Sequence, residues 1–392
     1  MRKPRSSSEP RVTRVRALDG RSAFRINAAW GQVTMLEHGG HISELASRAH
    51  GYLNPLWRPP WKTIDPSHYD HKRHTKKYGA PPDGRLLSGI AGHNLAFDHF
   101  GPPSEDEVAA GLSTHGEASW RRWTRNSSAK DGELECKVTL RDAQIELVRS
   151  VSVHPRFPAV YVEEQAESLT SFDRPMSCAQ HVTFGPPFLA SGVTRFDLPA
   201  TCGMVCPESY SSKMLVRANA EFMWPFAPSR QGRPVDLRRT ASGSYAQYTA
   251  QLIDPNVEIA WLAASNPKAK LLVLYLFRRT DFPWVGNWQE SYYRKAAPWN
   301  GRVFCRGMEF STTPFAVPRC DTVARGPVLN EATYQWLPAK GRRQVRYAIL
   351  LVDLPDNFSG VSSVSVKKQR IDILDHVQGK RTVALALREF LS

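Results

Sequence analysis

The feature of this chain that most restricts its fold is a period of two. Alternating apolar and polar residues recur from Arg11 almost to the C-terminus. R-V-T-R-V-R-A-L, S-A-F-R-I-N-A-A-W and Q-V-T-M-L-E open the series, and H-I-S-E-L follows a glycine pair at His41. L-E-C-K-V-T-L-R, A-Q-I-E-L-V-R-S-V-S-V and A-V-Y-V-E-E-Q-A-E-S-L continue it from Leu134. Successive side chains of a strand point to opposite faces, so such runs are strands with one face buried and one wetter. Gly or Asp-Gly between them suits a meander of hairpins. Further strands are expected at Tyr245–Leu252, Glu258–Ala263 and Leu271–Phe277, in Y-Q-W-L, V-R-Y-A-I-L-L-V and I-D-I-L, and in V-F-C-R-G-M-E-F-S-T-T-P-F. Only the last residues, T-V-A-L-A-L-R-E-F-L, read as helical or ambiguous. The expectation is an all-β chain, one large antiparallel sandwich spanning 11–392, too wide for an immunoglobulin type, behind a disordered tail of residues 1–10.

Between these runs lie segments without clear period. Asn54–Trp61 (N-P-L-W-R-P-P-W) opens a proline- and tryptophan-rich loop. His68, Asp70, His71 and His74 follow at spacings that would put ligands on one face of a helical turn. With no second cluster nearby, the His68–His74 segment is read as a surface loop without metal. Residues 190–245 hold few periodic segments, and Ser209–Met214 and Asn219–Trp224 have room for a short helix or an insertion. Phe282–Trp299 reads as a second aromatic-rich loop.

Composition narrows the class. The chain has 392 residues, 41% of them apolar, enough for a large core; 29 prolines and 25 glycines suit many short strands joined by turns. The formal charge is +15. Its arginines and lysines are scattered, with no long basic block, zinc finger or RNP signature, so a solvated basic surface is expected and nucleic acid is an unlikely partner. Six cysteines, only Cys202 and Cys206 close together, give neither a zinc site nor a disulfide scaffold. The N-terminal residues lack the apolar core of a signal peptide, and no run reaches the roughly 18 apolar residues of a membrane span. The longest, Ala269–Phe277, has the length of a buried strand. A soluble, cytoplasmic protein is the expectation.

Three residues stand out in chain order. His115 lies in T-H-G-E, at a turn. His181 lies in C-A-Q-H-V-T-F-G-P-P-F, at the end of a strand stopped by Gly185-Pro186-Pro187. Glu309 lies in R-G-M-E-F-S-T-T-P-F. This order resembles the aldose 1-epimerases of the galactose-mutarotase-like superfamily. There an H-G motif precedes a second histidine at an N-H-x-Y-F-type strand end, and a glutamate follows far downstream. Arg85, in G-R-L-L-S-G, stands where that family has G-R-x-x-N-R, without its second half. Gln180 replaces the usual Asn, and Gly185-Pro186 replaces the aromatic continuation, which marks a divergent branch.

The resemblance implies a β-supersandwich that interconverts the anomers of a hexose or related sugar by acid–base ring opening. Glu309 would be the base at O1 and His181 the acid at the ring oxygen. His115 would add a polar contact and Arg85 would bind substrate. Trp288, or Trp57, Trp61 or Trp284, would stack on the sugar. Neighbouring carboxylate and imidazole favour each other's charged forms, and the reaction needs neither metal nor organic cofactor. The partner would be a small-molecule carbohydrate. The alternative is the same sandwich binding carbohydrate without turnover.

Overall fold

A computed structural model describes residues 9–130, 132–207, 210–377 and 379–392. Of the expected N-terminal tail, residues 1–8 lie outside the described residues, as does Ser209 of the Ser209–Met214 segment.

Two antiparallel sheets face each other. The larger has twelve strands. Its order runs from the meander Arg11–Arg16, Ser22–Ala28, Gly31–Leu36 and Ile42–Ser47, through His93–Asp98, to Arg174–Phe184. It continues through Phe304–Ser311, Trp284–Ser291, Tyr245–Ile253, Ala200–Val205 and Glu221–Met223, with Gln335–Leu337 pairing the start of the Arg174 strand. The smaller sheet has eight strands, with Leu271–Arg278, Arg342–Asp353, Ala159–Ser168 and Ile145–Val153 at its centre. This is the large antiparallel all-β sandwich read from the period of two, and the supersandwich that the resemblance implies.

The alternation decides where each side chain goes. On the eight-stranded sheet, Val273, Tyr275 and Phe277 enter the inter-sheet core, while Leu272, Leu274 and Leu276 pack outward. That outer face is covered by a C-terminal three-stranded sheet, Val361–Val366, Ile371–Asp375 and Gly379–Val383. A strand buried on both faces reads as a continuous apolar run, which explains Ala269–Phe277. The C-terminal residues are thus mostly extended, with a single helical turn at Arg388–Leu391.

The large sheet is also two-sided. Cys178, Val182 and Phe184 face the inter-sheet core, as do Val285, Met308 and Phe310. Ala179, Tyr248, Ala250, Trp284, Trp288 and Cys305 belong to a second apolar cluster on the other face. Over that face lie the helices His71–Tyr78 and Asp83–Gly89 and the tryptophan-rich segment after Asn54.

Two sequence expectations change here. The His68–His74 segment is not a loop: Pro66–His68 forms a short 3-10 turn and His71–Tyr78 an α-helix. Asp70 caps that helix, its carboxylate accepting from the Lys72 N–H at 2.9 Å, and His74 Nδ1 accepts from the Asp70 N–H at 2.9 Å. Lys and Arg fill its exposed face, which hid the helical period. Phe282–Trp299 is not a loop throughout, because Trp284–Ser291 is a central strand with all eight residues buried. Its polar residues lie inside, so no polar–apolar alternation marks it. Between 190 and 245, where the sequence left room for a short helix or an insertion, the described residues form short strands, Glu221–Met223 among them.

Between the sheets runs a polar chain. His93 Nε2–H donates to Gln180 Oε1 at 2.9 Å, and Gln180 Nε2–H donates to Glu164 Oε2 at 2.6 Å. Arg149 Nε–H donates to Glu164 Oε1 at 2.8 Å, and Arg149 Nη1–H to the Gly40 carbonyl at 2.6 Å. Gln180, where the resembling family has Asn, therefore points away from the face that carries His181.

Buried histidines set an acid limit on this fold. Burial, with Arg21 nearby, pushes His41 down to about 3, and burial, with Arg149, does the same to His93. Unfolded, each takes up a proton below about pH 6.5; folded, each resists until about 3. The unfolded state therefore binds more protons in this window. Stability is fully present above about pH 6.5 and is lost as pH falls toward 3, by roughly 1 kcal/mol per pH unit for each histidine. The urea midpoint is expected to fall steadily between pH 7 and pH 5. A midpoint flat across that range would contradict the assignment of neutral buried rings.

Candidate functional site

Three neighbouring strands bring the central residues together by register. His181 pairs opposite Glu309, and Glu309 pairs opposite Gly286. On the next strand outward Tyr248 pairs opposite Trp288. Odd positions of the His181 and Glu309 strands and even positions of the Trp288 and Tyr248 strands share one face, so all four side chains stand on it. The face is the one covered by helices and loops rather than by the second sheet.

Room for Glu309 comes from two glycines. A Cβ at Gly307 would lie 2.3 Å from Glu309 Oε1, and one at Gly286 would lie 2.1 Å from the Tyr248 hydroxyl and 3.0 Å from Glu309 Oε2. His181 Nε2 lies 3.0 Å from Glu309 Oε1, and its Nδ1 lies 3.0 Å from the Thr183 hydroxyl. Glu309 Oε1 meets His181 and the carboxylate also lies beside the Tyr248 hydroxyl, while the Trp288 indole N–H has no partner among the described residues. Buried polar groups are normally fully paired, and these incompletely satisfied ones open onto one shared space. Burial, then the nearby Glu309, pushes the Tyr248 phenol well above its usual value, so it stays a neutral donor.

These residues floor a cavity of about 320 Å³, within the range of small-molecule sites. Its walls are Phe100, Trp288, Trp299, Tyr210, Leu86, Leu87 and Ile90, and its polar lining includes Asp83, Thr114, His115 and Arg294. Trp57 and Trp61 stand behind Trp299, with ring centroids 6.5 and 5.5 Å from it. Trp284 turns its indole N–H to the Ala332 carbonyl at 3.0 Å.

His115 enters through a turn. Its φ is +64° and that of Gly116 is +69°; a Cβ on Gly116 would lie 2.2 Å from the Phe97 carbonyl oxygen. Only glycine fits there, which is the physical content of the H-G pair. The Gly101 N–H donates to His115 Nδ1 at 3.1 Å. Burial, then His181 and His99, holds the ring's pKa well below its usual value, so the ring is neutral. With Nδ1 accepting, the proton sits on Nε2. The His115 and His181 ring centroids are 5.2 Å apart.

The structure thus gathers His115, His181, Glu309 and Trp288 around one cavity. Arg85 is not among its lining residues: the helix Asp83–Gly89 presents Asp83, Leu86 and Leu87 to the cavity, Ile90 follows just after it, and Arg85 lies over the Trp120 ring at 4.3 Å. Arg306, three residues before Glu309, faces the inter-sheet side. There its guanidinium donates to the Leu237 carbonyl at 2.5 Å. Missed from the sequence were Tyr248, Asp83, Tyr210, Arg294 and Trp299. Arg294 stacks over Trp299 at 4.8 Å and donates to the Tyr210 hydroxyl at 2.7 Å. Among the described residues no group of three or more His, Cys, Asp or Glu side chains is arranged to hold a metal ion, the His68–His74 segment included. No helix among them is long and apolar enough to cross a membrane.

The chain has the galactose-mutarotase-like fold. It superposes on a candidate aldose 1-epimerase of Klebsiella pneumoniae with a TM-score of 0.58 at 13% identity, covering 85% of this chain and 80% of that one. A galactose mutarotase-like protein of Clostridium acetobutylicum gives 0.56 at 13% identity, covering 89% and 100%. A galactose mutarotase related enzyme of Lactobacillus acidophilus gives 0.54 at 12%, covering 85% and 98%. No protein-family model and no curated protein matches the sequence. At these identities the likeness establishes the fold, and the chain is a divergent example of it.

Proposed function

We propose that this protein interconverts the anomers of a free hexose or related aldose. The observation that carries the reading is the Glu309–His181 pair, 3.0 Å apart, on the floor of an aromatic-walled cavity with the Tyr248 hydroxyl beside the carboxylate. Glu309 takes the proton from the anomeric O1 hydroxyl while His181 delivers one to the ring oxygen. The C1–ring-oxygen bond breaks, C1 becomes an aldehyde carbon, and rotation about C1–C2 exposes its other face. The ring oxygen then attacks C1 while His181 recovers its proton and Glu309 returns one to O1. Proton transfers alone balance the reaction. His115, a fixed Nε2–H donor, hydrogen-bonds the ring oxygen or an adjacent hydroxyl, and Trp288 offers a face to the sugar's C–H surface. Asp83 and Arg294 suit further hydroxyls.

Polarimetry over a panel of freshly dissolved aldoses tests the reading. At least one is expected to equilibrate faster with the protein present in catalytic amount. Saturable sugar binding without acceleration of any aldose would leave a carbohydrate-binding sandwich in place of an enzyme. A finer check is Gly307→Ala. The added methyl forces Glu309 aside while the back of the strand is untouched, so kcat should fall on the order of 10²-fold with the thermal midpoint little changed.

A further inference from the structure

A second cavity, of about 320 Å³, lies on the other side of the helix Asp83–Gly89. Tyr69, Asp70, His71, Pro82, Arg85 and Ser113 are among the residues around it. Arg85 is the notable member. Its guanidinium lies over one tryptophan, Trp120, which also carries Arg121 at 4.6 Å. Arg121 is neutralised by Glu117 and Asp142, whereas Arg85 takes part in no ion pair among the described residues. Burial and the neighbouring Arg121 lower its pKa, which is the direction expected of a cation lacking a counter-charge.

A second observation is independent of the arginine. Ser113 is 6% exposed, lines the same cavity, and its hydroxyl has no partner among the described residues. The one carboxylate in the lining, Asp70, is occupied: it accepts from the Lys72 N–H at 2.9 Å and faces Arg73 at 3.8 Å. A half-buried guanidinium fork stacked on Trp120 and a free hydroxyl lining the same cavity supply the donors a tetrahedral oxyanion takes, whose oxygens accept two parallel N–H bonds and one O–H bond.

We infer that Arg85 and Ser113 form an oxyanion site, for a phosphate group free in solution or carried by a small ester, separate from the sugar cavity. The two cavities share a wall: Thr114, next to Ser113, donates to Asp83 at 2.5 Å, and both of those residues line the sugar cavity. The inference does not depend on the proposed anomer chemistry.

Calorimetric titration of the whole protein tests it, with inorganic phosphate and glycerol phosphate as the probes at constant ionic strength. Wild type should bind at least one probe saturably, and phosphate should raise its thermal midpoint. Arg85→Gln should weaken binding at least about tenfold and cancel the thermal shift. Ser113→Ala should weaken it less, and Arg156→Gln, an exposed arginine elsewhere, should leave it unchanged. Tighter binding of the ester assigns the site to an esterified phosphate; equal binding assigns it to the free anion. Circular dichroism of Arg85→Gln, with Arg85→Lys as the conservative control, shows that each variant is folded. No saturable binding of either probe, or equal binding by folded Arg85→Gln, overturns the inference.

Discussion

Glu309→Gln is expected to lower kcat for anomer interconversion by about 10²–10⁴-fold while leaving the fold and sugar affinity nearly intact. Glutamine keeps the shape of glutamate, so Gly286 and Gly307 still accommodate it, and only the ability to take a proton is lost. The carboxylate is 1% exposed and held between His181 and Tyr248, with no ordinary structural partner whose loss would loosen the sheet. Glutamine fills the same space beside His181 and Tyr248, so the variant should be about as stable as wild type. Polarimetry on the best aldose gives the rate, and calorimetry on the same sugar gives the affinity. A rate within a factor of a few of wild type would mean that Glu309 is not the base. Lost affinity with a proportionate loss of kcat/KM and unchanged kcat would make it a binding group only.

The sandwich was legible because strands such as Leu134–Leu140, Ile145–Val153 and Ala159–Ser168 are half-buried, and a half-buried strand displays the period of two in plain form. What was hidden lies where both faces are buried. Trp284–Ser291 reads W-V-G-N-W-Q-E-S, with aromatics and glycine toward the cavity and Asn287 and Gln289 toward the inside, so neither face looks apolar. Tyr248 sits in the same situation on the next strand. His115, His181 and Glu309 were visible because the turn chemistry and strand ends around them are local. Asp83 and Arg294 were not, because their approach to the cavity depends on a helix and a loop folded over a distant sheet. Arg85 shows the converse: its motif is local, but the helix rotates it onto Trp120 and leaves the exposed Asp83 at the edge of the cavity instead. Gln180 and His181, adjacent in sequence, serve opposite faces of one strand, so the departure at 180 belongs to the core and puts no side chain into the cavity.

That core role carries the second large expectation. Glu164→Ala should destabilise the fold by about 3–5 kcal/mol, read as a lower urea midpoint at pH 7.5. Glu164 is 7% exposed and receives both Arg149 and Gln180, so its removal leaves a guanidinium and an amide donor unpaired between two sheets. Arg149→Met alone should cost a comparable amount, since it strands the carboxylate instead. The double variant Arg149→Met with Glu164→Leu should be less damaged than either single one, because both desolvated charges go together and apolar volume replaces them. A surface ion pair would behave differently: its single variants cost about 1 kcal/mol or less and its double variant is near additive. If Glu164→Ala cost that little, the Arg149–Glu164 pair would be solvated, and the buried chain from His93 to Gly40 would not be what joins the sheets at this point. The damage should also reach the cavity, because Gln180 is displaced on the strand that presents His181. The thermal loss in Glu164→Ala is therefore expected to come with a lower kcat at temperatures where the variant is still fully folded.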